Sequence, residues 1–326
     1  MRIRLSILSF VLLALGSLIM YQYQGESTNL QPTPAVSAQT AQLPSIVPVF
    51  SDVRNFDAPL LARNLAPRIN AAGQARAASL VAEGTLLTIS SNRSGPTRGF
   101  DIFLSRLRTR SWTKASSLGE VAVLNTIYDE RGPGLAADGK TIFFGSDRPG
   151  GCGGMDVYVS RFVNGRWTKP ENLGCEVNSS SDDEMPSCNA DGSRLYFASP
   201  RYGSMGGVDL WVSKLVDDKY TAPENLGPTV NSIEDETAPN PSQDEEVLFF
   251  SSFRSGGLGG KDLWYSTKEN GRWTQPANLG ASINSPAFEG CPTISFDKKT
   301  FLFSAWRKGN VGVQDIYMAK IEWKKR

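Results

Sequence analysis

DDEMPSCNADGSRLYFASPRYGSMGGVDLWVSKLVDDKYTAPENLGPTVNS, residues 182–232, divides into four short strand-like runs separated by turn residues. The runs are Glu184 to Asn189, Arg194 to Ser199, Asp209 to Leu215 and Tyr220 to Leu226. The second and third are dense in β-branched and aromatic side chains, which suit a half-buried pleated surface. Asp191-Gly192 is a tight-hairpin signal between the first two runs and recurs as Asp138-Gly139. Asn164-Gly165 and Asn270-Gly271 mark the turn between third and fourth runs of other copies. No helical periodicity appears in the unit.

The pattern recurs along the chain. Five times an Arg is followed eight residues later by an Asp that opens a strand: Arg93 to Asp101, Arg148 to Asp156, Arg201 to Asp209, Arg254 to Asp262 and Arg307 to Asp315. Successive Asp stand 55, 53, 53 and 53 residues apart, a period that marks a repeat architecture. Four-stranded antiparallel units in series, each too small to bury its own faces, are propeller blades. The sequence therefore predicts an all-β, five-bladed β-propeller over residues 55–326. Few residues follow the strand Asp315 to Lys320, so the last blade lacks its fourth strand. Asn64 to Asn70 (NLAPRIN) repeats the pattern of Asn278 to Asn284 (NLGASIN), which follows a fourth strand. Residues near Phe56 to Leu65 are thus expected to pair with Asp315 to Ile321, sealing first blade to last and removing the exposed edges.

SDRPGGCGGMDVYVS (146–160), NGRWTKPENLG (164–174), DEMPSCNADGSRLYFAS (183–199) and SSFRSGGLGGKDLWYS (251–266) resemble the WD40-like β-propeller repeats related to TolB, common in bacterial envelope proteins. The resemblance covers residues 56 to 321 and implies a fold more than a function. Such repeats often precede an OmpA-like peptidoglycan-binding domain; the few residues left before Arg326 carry no such implication here. The first repeat departs from the pattern, with Ala78 where the others have Pro133, Pro186, Pro239 and Pro292 and no acid ahead of it; the last has Ala305-Trp306-Arg307 where Ser-Asp-Arg is expected.

Ahead of the repeats, Met1-Arg2-Ile3-Arg4 leads into a largely apolar run, Leu5 to Met20, within a segment 1–23 read as a signal peptide or an N-terminal membrane anchor. Arg2 and Arg4 hold an uncleaved anchor with its C-terminal side outside the cytoplasm. Either way the propeller is expected to be exported, periplasmic or membrane-anchored, touching membrane through this segment alone. No Cys precedes Cys152, which excludes a lipid-modified N-terminal Cys. Residues 24–54, rich in Gln, Ser, Thr, Pro and Ala, read as a flexible tether. Export permits disulfides. Cys152, between second and third strands, and Cys175, just after the fourth, emerge on the same rim and are the expected pair; Cys188 and Cys291, on innermost strands of blades that are not neighbours, read as free thiols.

With 34 basic and 33 acidic side chains and no basic stripe, the chain is not expected to bind nucleic acid. It has no His, which removes Ser-His-Asp and Cys-His nucleophiles and His-ligated metal sites. Acids near the glycine-rich loops are too few for an oxygen cage, so neither metal nor cofactor is expected. Arg148, Arg201, Arg254 and Arg307 share a rim with Glu130, Glu184, Glu236 and Glu289, which lie at the start of innermost strands. This ring is either a charged ligand mouth, as in glycoside hydrolysis, or one structural Arg–carboxylate pair per blade. Repetition favours the structural pair, because a catalytic centre needs unlike residues. The repeated Asp reads as a loop cap. Trp112, Trp167, Tyr220 and Trp273, which share one position in the unit, read as wedges between blades. Function is expected where the frame varies, at loop tips carrying Tyr202, Phe253 and Trp306. The sequence reading is a non-enzymatic binding or scaffolding propeller with an envelope protein as partner, the alternative being a carbohydrate-active enzyme or a glycan- or peptidoglycan-binding propeller.

Overall fold

The computed structural model describes residues 43–55, 69–70, 73–81, 85–93, 99–109, 111–117 and 122–325. The expected N-terminal anchor and most of the expected tether lie outside these residues. The described residues contain strands and turns and no helix, and no helix among them is long and apolar enough to cross a membrane.

Five antiparallel sheets follow one another in sequence. Their innermost strands are Ala75–Val81, Glu130–Leu135, Glu184–Cys188, Glu236–Pro241 and Glu289–Ile294; each touches the next, and the fifth touches the first, which closes a five-bladed ring. The third blade shows the pattern: Glu184–Cys188 pairs with Arg194–Ser199, that strand with Asp209–Val216, and the last with both Lys219–Tyr220 and Glu224–Asn225. The fourth strand is thus short and broken in two.

Side chains alternate across each pleat, so one sheet supplies two inter-blade cores. Phe197 and Trp211 pack toward the second blade with Phe143 and Val157, whereas Tyr196 and Leu210 pack toward the fourth with Leu248 and Phe250. Five such clusters form, one per junction. Trp112, Trp167, Tyr220 and Trp273 each pack into the cluster shared with the preceding blade. Cys188 is buried in one of these clusters, where desolvation pushes its thiol up to about 12.

The ring closes with an N-terminal strand, but a different one from the segment expected. Ile46–Asn55 pairs antiparallel with Asp315–Lys325, from Ile46 opposite Lys325 to Asn55 opposite Tyr317, and residues 56–65 lie outside those described. The reading of 24–54 as tether therefore gives way to a strand from Ile46 onward. The physical reason is alternation masked by Pro: Pro48 and Phe50 face inward and Val49 outward, and Pro is tolerated on an outermost strand because its neighbour on one side is solvent. Phe50 reaches a buried cluster beside Phe301 and Phe303. Asn70 nevertheless has the role that its likeness to Asn284 implied. It accepts a bond from the Ile316 N–H at 2.7 Å and donates to its carbonyl at 3.2 Å, just as Asn284 bridges Leu263.

Phe50→Ala is expected to cost about 3–5 kcal/mol in urea denaturation, as for other buried aromatic truncations. A loss under about 1 kcal/mol would show that the N-terminal strand does not hold the ring shut.

Candidate functional site

Each repeated Arg joins four structural layers. Arg201 donates through Nε to Ser199 Oγ at 3.1 Å and through Nη2 to the Val177 carbonyl at 2.7 Å and Asp183 Oδ1 at 2.5 Å. Its guanidinium carbon lies 4.9 Å from the Phe197 ring centre and 5.3 Å from that of Trp211. Arg148 and Arg254 repeat the arrangement on Glu130 at 2.9 Å and Glu236 at 3.0 Å, and Arg307 holds Glu289 at 3.4 Å. The carboxylate also accepts from a loop N–H four residues upstream, as Glu236 does from Ser232 at 2.7 Å and Glu289 from Ser285 at 2.9 Å. Every acid of the ring is buried. Burial raises the Glu130 and Glu289 carboxyls above their ordinary range, opposed by Thr126, Ser285 and the paired Arg.

Glu184 does not belong to this ring. The acid paired with Arg201 stands eighteen residues before it, as in other blades, and that residue is Asp183. Glu184 occupies the next strand position, opposite Ala198, which in other blades holds Arg76, Arg131, Thr237 and Gly290. The eighteen-residue interval would have made this assignment from sequence alone. In the first blade Ala75 stands where the others have the acid, and Arg93 bonds Ser91 and the Ile69 carbonyl.

The repeated Asp caps its glycine-rich loop. Asp156 accepts from the Cys152 and Gly153 N–H groups at 2.5 and 3.2 Å and from Asn172 at 2.8 Å; Asp209 and Asp262 bond their loops and Asn225 or Asn278 in the same way. Cys152 and Cys175 form a disulfide with Cα atoms 5.5 Å apart, fastening this loop to the segment after the fourth strand. Cys291 is half-buried on the channel wall.

The axial channel is narrow, with Ala78, Pro133, Pro186, Pro239 and Pro292 at equivalent positions on its wall. A bulge interrupts every innermost strand here. Met185, Ala238 and Cys291 take left-handed backbone at φ 55°, 51° and 52°, a conformation that costs a non-glycine residue of order 1–3 kcal/mol. Gly134 serves close approach instead: a Cβ there would lie 2.2 Å from the Pro186 carbonyl oxygen. Bulges of this kind re-aim neighbouring side chains.

Just above the constriction, on the rim that carries the Arg loops, the unlike residues meet. Arg76 and Arg131 each place a guanidinium carbon 5.3 Å from the Phe100 ring centre. Arg76 donates through Nε to Gln314 at 2.9 Å, and Arg131 pairs with Asp129. Lys261 donates to Thr237 Oγ1 at 2.8 Å and lies over Phe253 at 4.7 Å and Phe288 at 5.8 Å. Phe288 stacks on Trp306 at 5.2 Å. Burial raises the Glu184 carboxyl against the pull of Arg131, Lys261 and Arg76, and burial lowers the Lys261 ammonium. The two aromatic tips Phe253 and Trp306 thus border this charged mouth, whereas Tyr202 is fully exposed on its own loop. Among the described residues no group of three acids or cysteines is placed to hold a metal ion.

No family model matches the chain, and no curated protein matches it in sequence. Among solved structures, GH43B of a Bacteroides ovatus xyloglucan locus superposes with TM-score 0.50 and 15% identity over 78% of this chain and 53% of its own. A GH43_12 protein retrieved from capybara gut metagenome gives TM-score 0.50 and 15% identity over 87% and 58%. TolB from Acinetobacter baumannii gives 0.46 and 12% over 77% and 55%. The chain spans little more than half the length of these three, and the likeness is one of fold.

Arg254→Met leaves Glu236 buried without its cation and is expected to cost about 3–5 kcal/mol in denaturant unfolding; a neutral outcome would remove the ring's structural role. Glu184→Gln should act in the opposite sense. A carboxyl raised by folding is penalised above its folded pKa and unpenalised below the ordinary 4.5. The substitution is therefore expected to raise Tm at pH 7 and to lose that gain as pH falls through the raised folded pKa toward 4.5; a lowered Tm at pH 7 would contradict it.

Proposed function

We propose that this propeller is a non-enzymatic binding platform that engages a protein partner at the bacterial envelope through the face carrying the Arg loops. The observation that carries this reading is the placement of exposed apolar side chains. Ile127, Tyr202, Ile233, Phe253, Leu258 and Trp306 are all large, exposed and on loops of that one rim. On the opposite rim the large exposed apolar side chains among the described residues are Leu43, Ile46, Val163, Leu215, Val216 and Phe296, of which one is aromatic. Exposed aromatic side chains bordering a charged mouth, as Phe253 and Trp306 do through Phe288, match the composition of binding hot spots. A ring cross-tied at every junction also suits recognition, since little ordering is needed on binding.

Export to the periplasm, with or without an N-terminal anchor, belongs to the same proposal and rests on the apolar run after Arg4 and on the Cys152–Cys175 disulfide, a bond that persists in oxidising compartments. The carbohydrate-active alternative needs at least two free carboxylates facing an open cleft. Glu130, Glu236 and Glu289 are tied to Arg, and Asp129, Asp182 and Asp235 each accept a backbone N–H bond, which leaves Glu184 as the acid with least structural employment at the mouth.

The test is a crosslinking capture from envelope extract with the full chain and with a Tyr202→Ala, Phe253→Ala, Trp306→Ala variant of matched Tm. Partners held by the first and lost by the second are the expected result. Equal recovery, or none with either, would reject the apolar rim as the docking surface.

A further inference from the structure

We propose that the channel mouth is a receptor for the carboxylate end of a peptide chain, taken up by Arg76 and Arg131 with its last apolar side chain against Phe253, Phe288 and Trp306. The inference rests on the platform reading above and specifies which part of the partner enters the ring.

The first argument is asymmetry. Four of the blades spend their loop Arg on a buried acid, and a repeated pair says nothing about a ligand. One strand position further on, the repeat breaks into Arg76, Arg131, Glu184, Thr237 and Gly290. These unlike groups are gathered at the upper end of the narrow channel, where a ligand reaches them from the rim.

The second argument is unspent hydrogen-bonding capacity. Arg131 uses one terminal nitrogen on Asp129, while its buried Nε has no partner among the described residues. Arg76 uses Nε on Gln314, and no other described group accepts from it. Phe100 lies against both guanidinium groups, which fixes their planes without consuming a donor. Arg forks match a carboxylate geometrically, and two of them supply more donors than the present partners use. The Glu184 side chain is half-buried, and its carboxylate accepts no hydrogen bond from any described residue. Its free acceptor capacity faces the mouth, where the last peptide N–H of an entering chain would donate to it.

The third argument is the wall. Lys261, Phe253, Phe288 and Trp306 form one continuous contact series from the mouth to the exposed rim. Apolar surface beside two Arg forks suits a terminal carboxylate that follows an apolar side chain.

The experiment is isothermal titration calorimetry of the full chain with acetyl-Ala-Ala-Phe bearing a free carboxylate and with the same peptide as its C-terminal amide. The free acid is expected to bind at least about tenfold more tightly, the difference made by one charge-assisted pair. Arg76→Gln should erase that preference, and Arg76→Lys, which keeps the charge and loses the fork, should restore part of it. Affinity of the free acid should fall as salt is raised. Equal affinity for acid and amide, no heat with either peptide at millimolar concentration, or an acid preference that survives Arg76→Gln would overturn the proposal. Partner capture that is lost in the triple rim variant and unaffected by Arg76→Gln would keep the platform and reject the carboxylate receptor.

Discussion

A guanidinium held between two aromatic rings, a Ser hydroxyl, a buried acid and a carbonyl from the preceding connection is the contact on which the ring depends. Arg148, Arg201 and Arg254 each make all of these bonds. The carbonyl lies twenty-four residues upstream in every copy, on the segment arriving from the previous blade. Thus the ion pair buried within one blade is completed by a carbonyl from the incoming connection, and no blade is complete alone. Such charges are costly to bury and more costly to leave unpaired, which makes the arrangement specific: a blade shifted in register would strand both Arg and acid. Arg307 shows the tolerance of the design, since Ala305 replaces the Ser and its buried Nε has no partner among the described residues.

Hydrophobic burial supplies the bulk of the cohesion and the polar ties supply the geometry. The five clusters lie between blades and use both faces of each sheet, so the strands read as nearly continuous apolar runs such as Leu195 to Ala198 and Val247 to Phe250. The Asn series, from Asn70 through Asn284, then bridges strand to incoming connection at every junction. Because these ties repeat, most charged residues on the rim are committed to structure. The mouth is conspicuous only after that commitment is subtracted.

Legibility in the sequence followed repetition. Strand order, blade count, the Asp loop caps and the aromatic wedges were all readable because each appears four or five times at one spacing. The closing strand is hard to place because it appears once, and Pro48 breaks the alternation that would mark Ile46–Asn55. Glu184 misleads for a related reason: Asp183 and Glu184 stand side by side, and only the eighteen-residue interval to Arg201 tells the ring acid from its neighbour. The pairing of Arg76 with Arg131 around Phe100 was not readable at all. Those residues come from two innermost strands and the loop before a third strand, in two consecutive blades, and only the packing of one blade on the next brings them together.

The register of the closing strand has a further consequence. Ile46 stands opposite Lys325, so the chain enters and leaves the ring on neighbouring strands at the rim away from the mouth. In the second and fourth blades that gap is bridged by an Asn-Gly hairpin, as between Val163 and Arg166. The same two-residue link placed between Lys325 and Ile46 would make the fifth blade like its fellows and leave a closed loop of chain with no intrinsic first residue. Circular permutants opened at any exposed turn would then share one ring and one mouth, and which blade is made first would be an accident of where the gene begins.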